Sequence, residues 1–233
     1  RLGDKNQEHC TVYNMMRLAD FLFRVTGQRE YADYYEKNLY NGIMAQAYWK
    51  GNFTHGQHSD HPDTGLLTYF LPLRSGGRKG WASYTDDFFC CHGTLVQANA
   101  TLSGGLYYRG EDSLYVCQYF DSDVSVEFHG TPVSLRQRID TLTGSNHTSS
   151  WSTGSQKIMA TAARYPSRPD CLCVNLLLDC AAETEFTLRL RLPDWVLDGA
   201  SLSVDGEAVP CTSDDDGFIS IHHVWKENTV CLN

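Results

Sequence analysis

Residues 8–46 read EHCTVYNMMRLADFLFRVTGQREYADYYEKNLYNGIMAQ, and this stretch predicts how the chain begins to fold. Apolar residues recur three and four positions apart over residues 11–25, which is typical of an amphipathic helix with one buried stripe. Gly27 stands where a left-handed C-cap would end that helix. A second periodic run covers residues 30–48. Because only a short break separates the two runs, they predict an antiparallel αα-hairpin.

The rest of the chain changes its hydrophobic period. A third helix is predicted over residues 93–102, and from residue 112 onward apolar and polar residues alternate in short segments. The clearest segment is FTLRLRL at 186–192, and polar or Gly/Pro-containing turns separate such segments, as in an antiparallel β-sandwich. We therefore expect an α + β multi-domain protein, with a helical domain at 1–110 and a β-sandwich at 111–233.

Composition excludes several classes of partner. Nineteen Lys and Arg against 28 Asp and Glu give a net charge of -9, and no basic run offers a surface for nucleic acid. The longest apolar runs, such as VNLLL at 174–178, are too short to span a membrane. Nine cysteines without a disulfide-scaffold spacing favour a reducing, cytoplasmic compartment over secretion. The sequence leaves a homodimer open, and its start at Arg1 without Met suggests a fragment or processed product.

Two short clusters contain the residues that are candidates for metal binding or catalysis. FFCCHGT at 88–94 holds the adjacent pair Cys90 and Cys91, which fits a buried cysteine beside a partly exposed one, a strained vicinal disulfide, or a metal site. Upstream, Glu8 and Cys10 stand two positions apart, just before the first helix. One carboxylate and three thiols would suit tetrahedral Zn²⁺. Spacing alone does not choose among these interpretations.

Several motifs together resemble the β-L-arabinofuranosidases of glycoside hydrolase family 127 and their relatives. They run in the family's order: a Glu-x-Cys before a helix, then YADYYEKNLYN, TYFLPL and a Cys-Cys pair opening another helix. The C-terminal LRLRLPDWV and SLSVDGEAV are similar to the family's β-sandwich. The resemblance implies that 1–110 is the C-terminal portion of an (α/α)6-barrel catalytic domain and that 111–233 is the sandwich that follows it.

The resemblance also implies a metal-assisted retaining hydrolysis. Glu8, Cys10, Cys90 and Cys91 would bind Zn²⁺, and Cys90 would be the nucleophile. The enzyme would remove β-L-arabinofuranosyl or related residues from an oligosaccharide or glycan.

Two further residues and one missing group follow from the same resemblance. Glu36 and Tyr69 match residues that line the family's sugar pocket. The family's general acid/base is a Glu that would lie before Arg1, so we expect this fragment to be inactive alone. The alternative is a catalytically silent carbohydrate-binding or structural fragment that keeps the zinc site.

Three other patterns favour structural roles. HGQHSDH at 55–61 predicts a solvated loop or pocket rim rather than a second metal site. Cys171, Cys173 and Cys180 fall in strand segments and favour core packing over metal binding. DDDG at 214–217 predicts a turn rather than a calcium site, because no spaced ligand set follows.

Overall fold

The computed structural model describes residues 3, 5–49, 65–83, 86–143, 150–153, 156–159, 169–196 and 199–233. Contacts between Cα atoms divide the chain into two compact units, Arg1–Gly105 and Leu106–Asn233, called here the helical unit and the β unit. The predicted domains 1–110 and 111–233 stay predictions. The histidine-rich segment 55–61 lies outside the described residues.

The first helix of the helical unit follows the hydrophobic pattern. Helix α1 spans His9–Thr26, and Gly27 caps it in the left-handed conformation with φ 71°, its N–H donating to the carbonyl of Phe23 at 2.7 Å. The predicted helix and its cap are therefore confirmed, and α1 begins two residues earlier than predicted. Its buried stripe is Val12, Met16, Ala19 and Phe23.

The second predicted helix is interrupted. Helix α2 spans Arg29–Asn38, and a π-helical turn at Leu39–Ile43 and a 3₁₀ turn at Met44–Gln46 follow it. The chain then enters β1, Ala47–Trp49, which pairs antiparallel with β2, Gly65–Leu67. The prediction of a helix to residue 48 is wrong, because tertiary packing and strand pairing override the apolar period there.

The packing at the π-helical turn is very close. A Cβ on Gly42 would lie 2.6 Å from the Val12 Cγ1 atom of α1. The wider turn and the missing side chain together bring this backbone against the first helix.

Helix α3 starts earlier than predicted, at Cys90, and spans Cys90–Ala100 before a 3₁₀ turn at Leu102–Gly105. Its N-cap is Phe89, and the Nδ1 atom of His92 accepts a hydrogen bond from the Phe89 N–H at 2.8 Å. The imidazole thus does what an acidic residue does in a capping box. Both adjacent cysteines therefore lie in the first turn of a helix.

The described residues of the β unit form a sheet of eight strands and a separate two-stranded pair. The strands of the sheet are β3 Tyr107–Arg109, β4 Ser113–Val116, β5 Ser122–Phe128, β6 Thr131–Thr143, β9 Pro169–Arg191, β10 Leu202–Val204, β11 Glu207–Val209 and β12 Phe218–Leu232. The separate pair is β7 Ser150–Thr153 with β8 Gln156–Met159.

Strand β9 is the centre of the sheet. The strand order is β11-β10-β12-β9-β4-β3. In addition, β6 pairs with β9, and β5 pairs with β6. The apolar run VNLLL at 174–178 and the alternating segment that begins at Phe186 belong to this one strand, because DCAAETE between them contains no Gly or Pro to break it. All pairings in the sheet are antiparallel except β4 with β9, which is parallel.

The core of the β unit lies where alternation predicts it. Phe186, Leu188 and Leu190 are all buried on β9. Trp225 of β12 is also buried, and its indole N–H donates to the Phe186 carbonyl at 2.9 Å, which satisfies the one polar atom of that side chain. Cys180 joins the same cluster.

The turn before β12 is held by one carboxylate. Asp214 accepts hydrogen bonds from the backbone N–H groups of Asp216 and Phe218 at 3.1 and 3.0 Å, and Arg189 forms an ion pair with it. Both carboxylate oxygens of Asp214 therefore bond to groups of the protein, and the side chain stabilises the turn predicted at 214–217.

Replacing Gly42 with alanine tests the close packing at the π-helical turn. We expect Gly42→Ala to lower the free energy of unfolding by about 1–3 kcal/mol, because its Cβ must displace Val12. Urea unfolding followed by far-UV circular dichroism measures the change. The matched control is Gly104→Ala, whose Cβ would meet nothing within 4 Å. Equal stability of the two variants would contradict the packing argument.

Candidate functional site

Two helix starts bring the cysteine-rich cluster together. Glu8 precedes α1 and Cys10 lies in its first turn, while Cys90 and Cys91 open α3. One ligand atom from each of these four side chains lies within 4.8 Å of all the others. The residues singled out in the sequence as zinc ligands are therefore neighbours in space.

The spacing of the donor atoms fits a four-coordinate ion. The Glu8 Oε1 atom is 3.6 Å from Cys91 Sγ and 3.8 Å from Cys90 Sγ, and Cys10 Sγ is 3.9 Å from Cys91 Sγ. A tetrahedron of thiolates at zinc–sulfur distances of about 2.3 Å has edges of about 3.8 Å. All three cysteines are free, so the vicinal disulfide is not formed. This cluster can hold a metal ion, and its donor set does not by itself fix which one.

The two adjacent cysteines differ in exposure and acidity. Cys91 is completely buried, and burial raises the pKa of its thiol to about 12. Cys90 is exposed, and a hydrogen bond from the Tyr69 hydroxyl, at 3.5 Å, is the largest of the effects that lower the pKa of its thiol. The same contact raises the pKa of Tyr69 to about 12, so the phenol stays protonated and donates to the thiolate. Without metal, Cys90 ionises before Cys91.

Glu8 is held as a carboxylate. Burial pushes its pKa upward, but hydrogen bonds from Thr11, Cys10 and Cys91 outweigh burial and leave the pKa lowered. Thr11 donates its hydroxyl to Oε2 at 2.6 Å. Oε1 is thereby left facing the sulfur atoms.

Sequence reasoning missed two residues beside the cluster. The Thr94 hydroxyl lies 3.3 Å from Cys10 Sγ and 2.9 Å from Nδ1 of His9, which is fully buried. Burial lowers the pKa of that imidazole. Since Thr94 follows Cys91 by three positions on a helix, the spacing in FFCCHGT already places its side chain on the same face.

The two predicted sugar-contacting residues lie in different places. Tyr69 adjoins the cluster through Cys90, and its ring packs edge-on against Phe89 with centroids 5.3 Å apart. Glu36 is half-buried on α2 and is not one of the clustered ligands. Phe88, 84% exposed, stacks on His92 at a centroid distance of 5.4 Å. An aromatic surface therefore borders the exposed thiol.

Two family descriptions match the chain. The β-L-arabinofuranosidase GH127 catalytic domain matches residues 2–104, and the β-L-arabinofuranosidase GH127 middle domain matches residues 155–232. The chain belongs to glycoside hydrolase family 127. All four clustered ligands fall within the family 127 catalytic-domain match.

Solved family 127 structures share the fold. A GH127 β-L-arabinofuranosidase from Geobacillus stearothermophilus T6 matches with a TM-score of 0.67 at 23% identity over 98% of this chain. A GH127 β-arabinofuranosidase, BT3674, matches with a TM-score of 0.67 at 21% identity, also over 98%. This chain spans about a third of their lengths, 32% and 33%. Among curated proteins no significant match was found. None of the helices described in this family 127 chain is long and apolar enough to cross a membrane.

The contact between Tyr69 and Cys90 predicts a pH profile. In metal-free protein, Tyr69→Phe should shift the midpoint of Cys90 alkylation by iodoacetamide to higher pH, because the hydrogen bond that stabilises the thiolate is lost. Peptide mass spectrometry across a pH series measures the midpoint. Tyr107→Phe is the control, since its hydroxyl bonds to Ser122 in the β unit. An unchanged midpoint in Tyr69→Phe would show that the phenol does not act on the thiol.

Proposed function

We propose that the protein is a retaining glycoside hydrolase that removes β-L-arabinofuranosyl or related residues from an oligosaccharide or glycan. The observation that carries the proposal is the exposed thiol of Cys90, whose pKa is lowered. This thiol belongs to a cluster of four side chains that could hold a metal ion, in a family 127 chain. The related structures are named as arabinofuranosidases, which favours this substrate class.

We infer that Glu8, Cys10, Cys90 and Cys91 hold Zn²⁺. Three sulfur atoms and one carboxylate at tetrahedral spacing match the preferences of this ion, which accepts mixed sulfur and oxygen ligands. When bound, Zn²⁺ keeps the thiols ionised at neutral pH. This would overcome the burial that raises the pKa of Cys91.

Cys90 fits the nucleophile better than Cys91. Its sulfur is accessible to a sugar, whereas the sulfur of Cys91 is enclosed. In the first step the Cys90 sulfur bonds to the anomeric carbon as the bond from that carbon to the leaving oxygen breaks. A carboxylic acid protonates the leaving oxygen. The resulting carboxylate then takes a proton from water as the water oxygen bonds to the anomeric carbon and displaces the thiolate.

The remaining parts of the site and architecture are also proposals. Tyr69 and Glu36 would bind the sugar, and the position of the Tyr69 hydroxyl beside the reacting sulfur supports the first. By the family resemblance, the general acid would be a Glu upstream of the Glu-x-Cys motif. We propose that the helical unit is part of an (α/α)6 barrel and that the β unit is a sandwich. We propose a cytoplasmic location, which fits the free state of the eight cysteines whose side chains the structure describes.

Serine substitutions of Cys90 and Cys91 each remove one proposed metal ligand, but only the first also removes the proposed nucleophile. In the whole protein, Cys90→Ser should lower kcat by about 10³-fold or more on an aryl β-L-arabinofuranoside while the far-UV spectrum is retained, since a serine hydroxyl is a far weaker nucleophile than a thiolate. Cys91→Ser should act mainly by lowering the zinc content of the protein, because it removes a proposed ligand and keeps the Cys90 thiol. A sugar-shaped electrophile should label Cys90, as read by peptide mass spectrometry.

The alternative of a silent carbohydrate-binding fragment has a different outcome. In that case, the whole protein would bind arabinofuranosides without turnover, and no electrophile would label Cys90. A Cys90→Ser enzyme with a near-normal rate would also overturn the assignment of the nucleophile.

Metal content tests the ligand set directly. Purified protein should contain about one zinc per chain by mass spectrometry of the element, and Cys10→Ala should reduce this content strongly because only three ligands remain. Cys211→Ala, a half-buried thiol of the β unit, should leave it unchanged. Full zinc content in Cys10→Ala would remove that residue from the site.

A further inference from the structure

We propose that His9 and Thr94 form a hydrogen-bond relay that positions the Cys10 sulfur as a metal ligand. The inference rests on the proposed metal site and adds two residues to it. Neither would touch the metal, so both are positioning residues. The relay links the start of α1 to the first turns of α3.

The Thr94 hydroxyl has three neighbours and a single proton to donate. These are Cys10 Sγ at 3.3 Å, His9 Nδ1 at 2.9 Å and the carbonyl of Cys91 at 3.3 Å. A thiolate and a carbonyl can only accept a hydrogen bond, whereas Nδ1 can donate or accept according to the tautomer. The tautomer of His9 therefore decides where the Thr94 proton points.

Burial selects the tautomer of His9. The side chain is fully buried, and its Nε2 atom has no hydrogen-bond partner among the described residues. A proton on Nε2 would leave an orphaned buried N–H group, which proteins avoid more strictly than an unpaired acceptor. The proton therefore resides on Nδ1, and His9 donates to the Thr94 oxygen.

With its oxygen engaged by His9, Thr94 turns its own proton toward Cys10. The distance of 3.3 Å is normal for a hydrogen bond to the large sulfur atom but long for one to a carbonyl oxygen, so the sulfur is the better acceptor. The charge of a thiolate strengthens the bond further. Cys10 is thereby held with its sulfur 3.9 Å from that of Cys91.

Loss of such a support should weaken metal binding. Outer partners of metal ligands typically contribute about 10–100-fold in affinity, because they orient the ligand and stabilise its charge. Valine keeps the shape of threonine but has no hydroxyl. Serine keeps the hydroxyl, so it should rescue the function that valine loses.

The experiment measures zinc affinity of the purified protein by competition with a chromophoric chelator. We expect Thr94→Val and His9→Leu each to weaken zinc binding by about 10-fold or more, and Thr94→Ser to remain within about threefold of the original protein. The double variant should lose no more than either single variant, since both break one relay. Thr101→Val, which removes a hydroxyl bonded to Gln97 at the other end of α3, should bind zinc normally.

The outcomes separate this inference from the proposed site. Absence of zinc binding by the original protein would overturn both. Normal zinc affinity in Thr94→Val, or additive losses in the double variant, would overturn the relay alone. If Thr94→Val does not fold, Thr94→Ala supplies the same comparison. With Co²⁺ in place of Zn²⁺, the sulfur-to-metal absorption band should shift in Thr94→Val and not in Thr101→Val, which is a signature of altered thiolate bonding.

Discussion

The packing of the first turn of α3 against the start of α1 is the contact on which the candidate site depends. Both helices present their N-terminal ends there, and the partial positive charge of a helix N-terminus stabilises anions. One carboxylate and three thiols would repel one another if ionised in isolation. At two helix starts, and with a cation among them, the same groups become a stable set of donors.

This arrangement also explains why adjacent cysteines are useful. Successive residues in a helix point about 100° apart, so one sulfur of a Cys-Cys pair can be buried while the next remains accessible. Cys91 takes the enclosed position and Cys90 the exposed one. One pair of residues thus combines an enclosed sulfur with an accessible one. The exposed sulfur of Cys90 lies 3.5 Å from the Tyr69 hydroxyl, and the Tyr69 ring packs against Phe89.

The sequence predicted those features that depend on local pattern, and it failed where distant contacts decide. The stripe of α1, its Gly27 cap and the alternation around Phe186 follow directly from residue order. The end of α2 does not follow from residue order. It depends on the close packing of the Gly42 backbone against Val12, which lies 30 positions earlier in the chain. The start of α3 was misplaced since His92 acts as a cap, a role usually read from acidic residues. The ligands came from a family resemblance, whereas Thr94 and His9 emerged only from the distances.

The central position of β9 has a consequence for how the protein is made. One edge of β9 pairs with β6 and β4, which are synthesised before it, and the other edge pairs with β12, which is synthesised after it. During translation the β12 side of β9 therefore stays unpaired until Phe218–Leu232 has left the ribosome. A long open edge of this kind invites pairing with other chains. Premature termination before β12 should consequently produce aggregates rather than a smaller folded protein, and slow emergence of β12 would favour chaperone capture of the nascent chain.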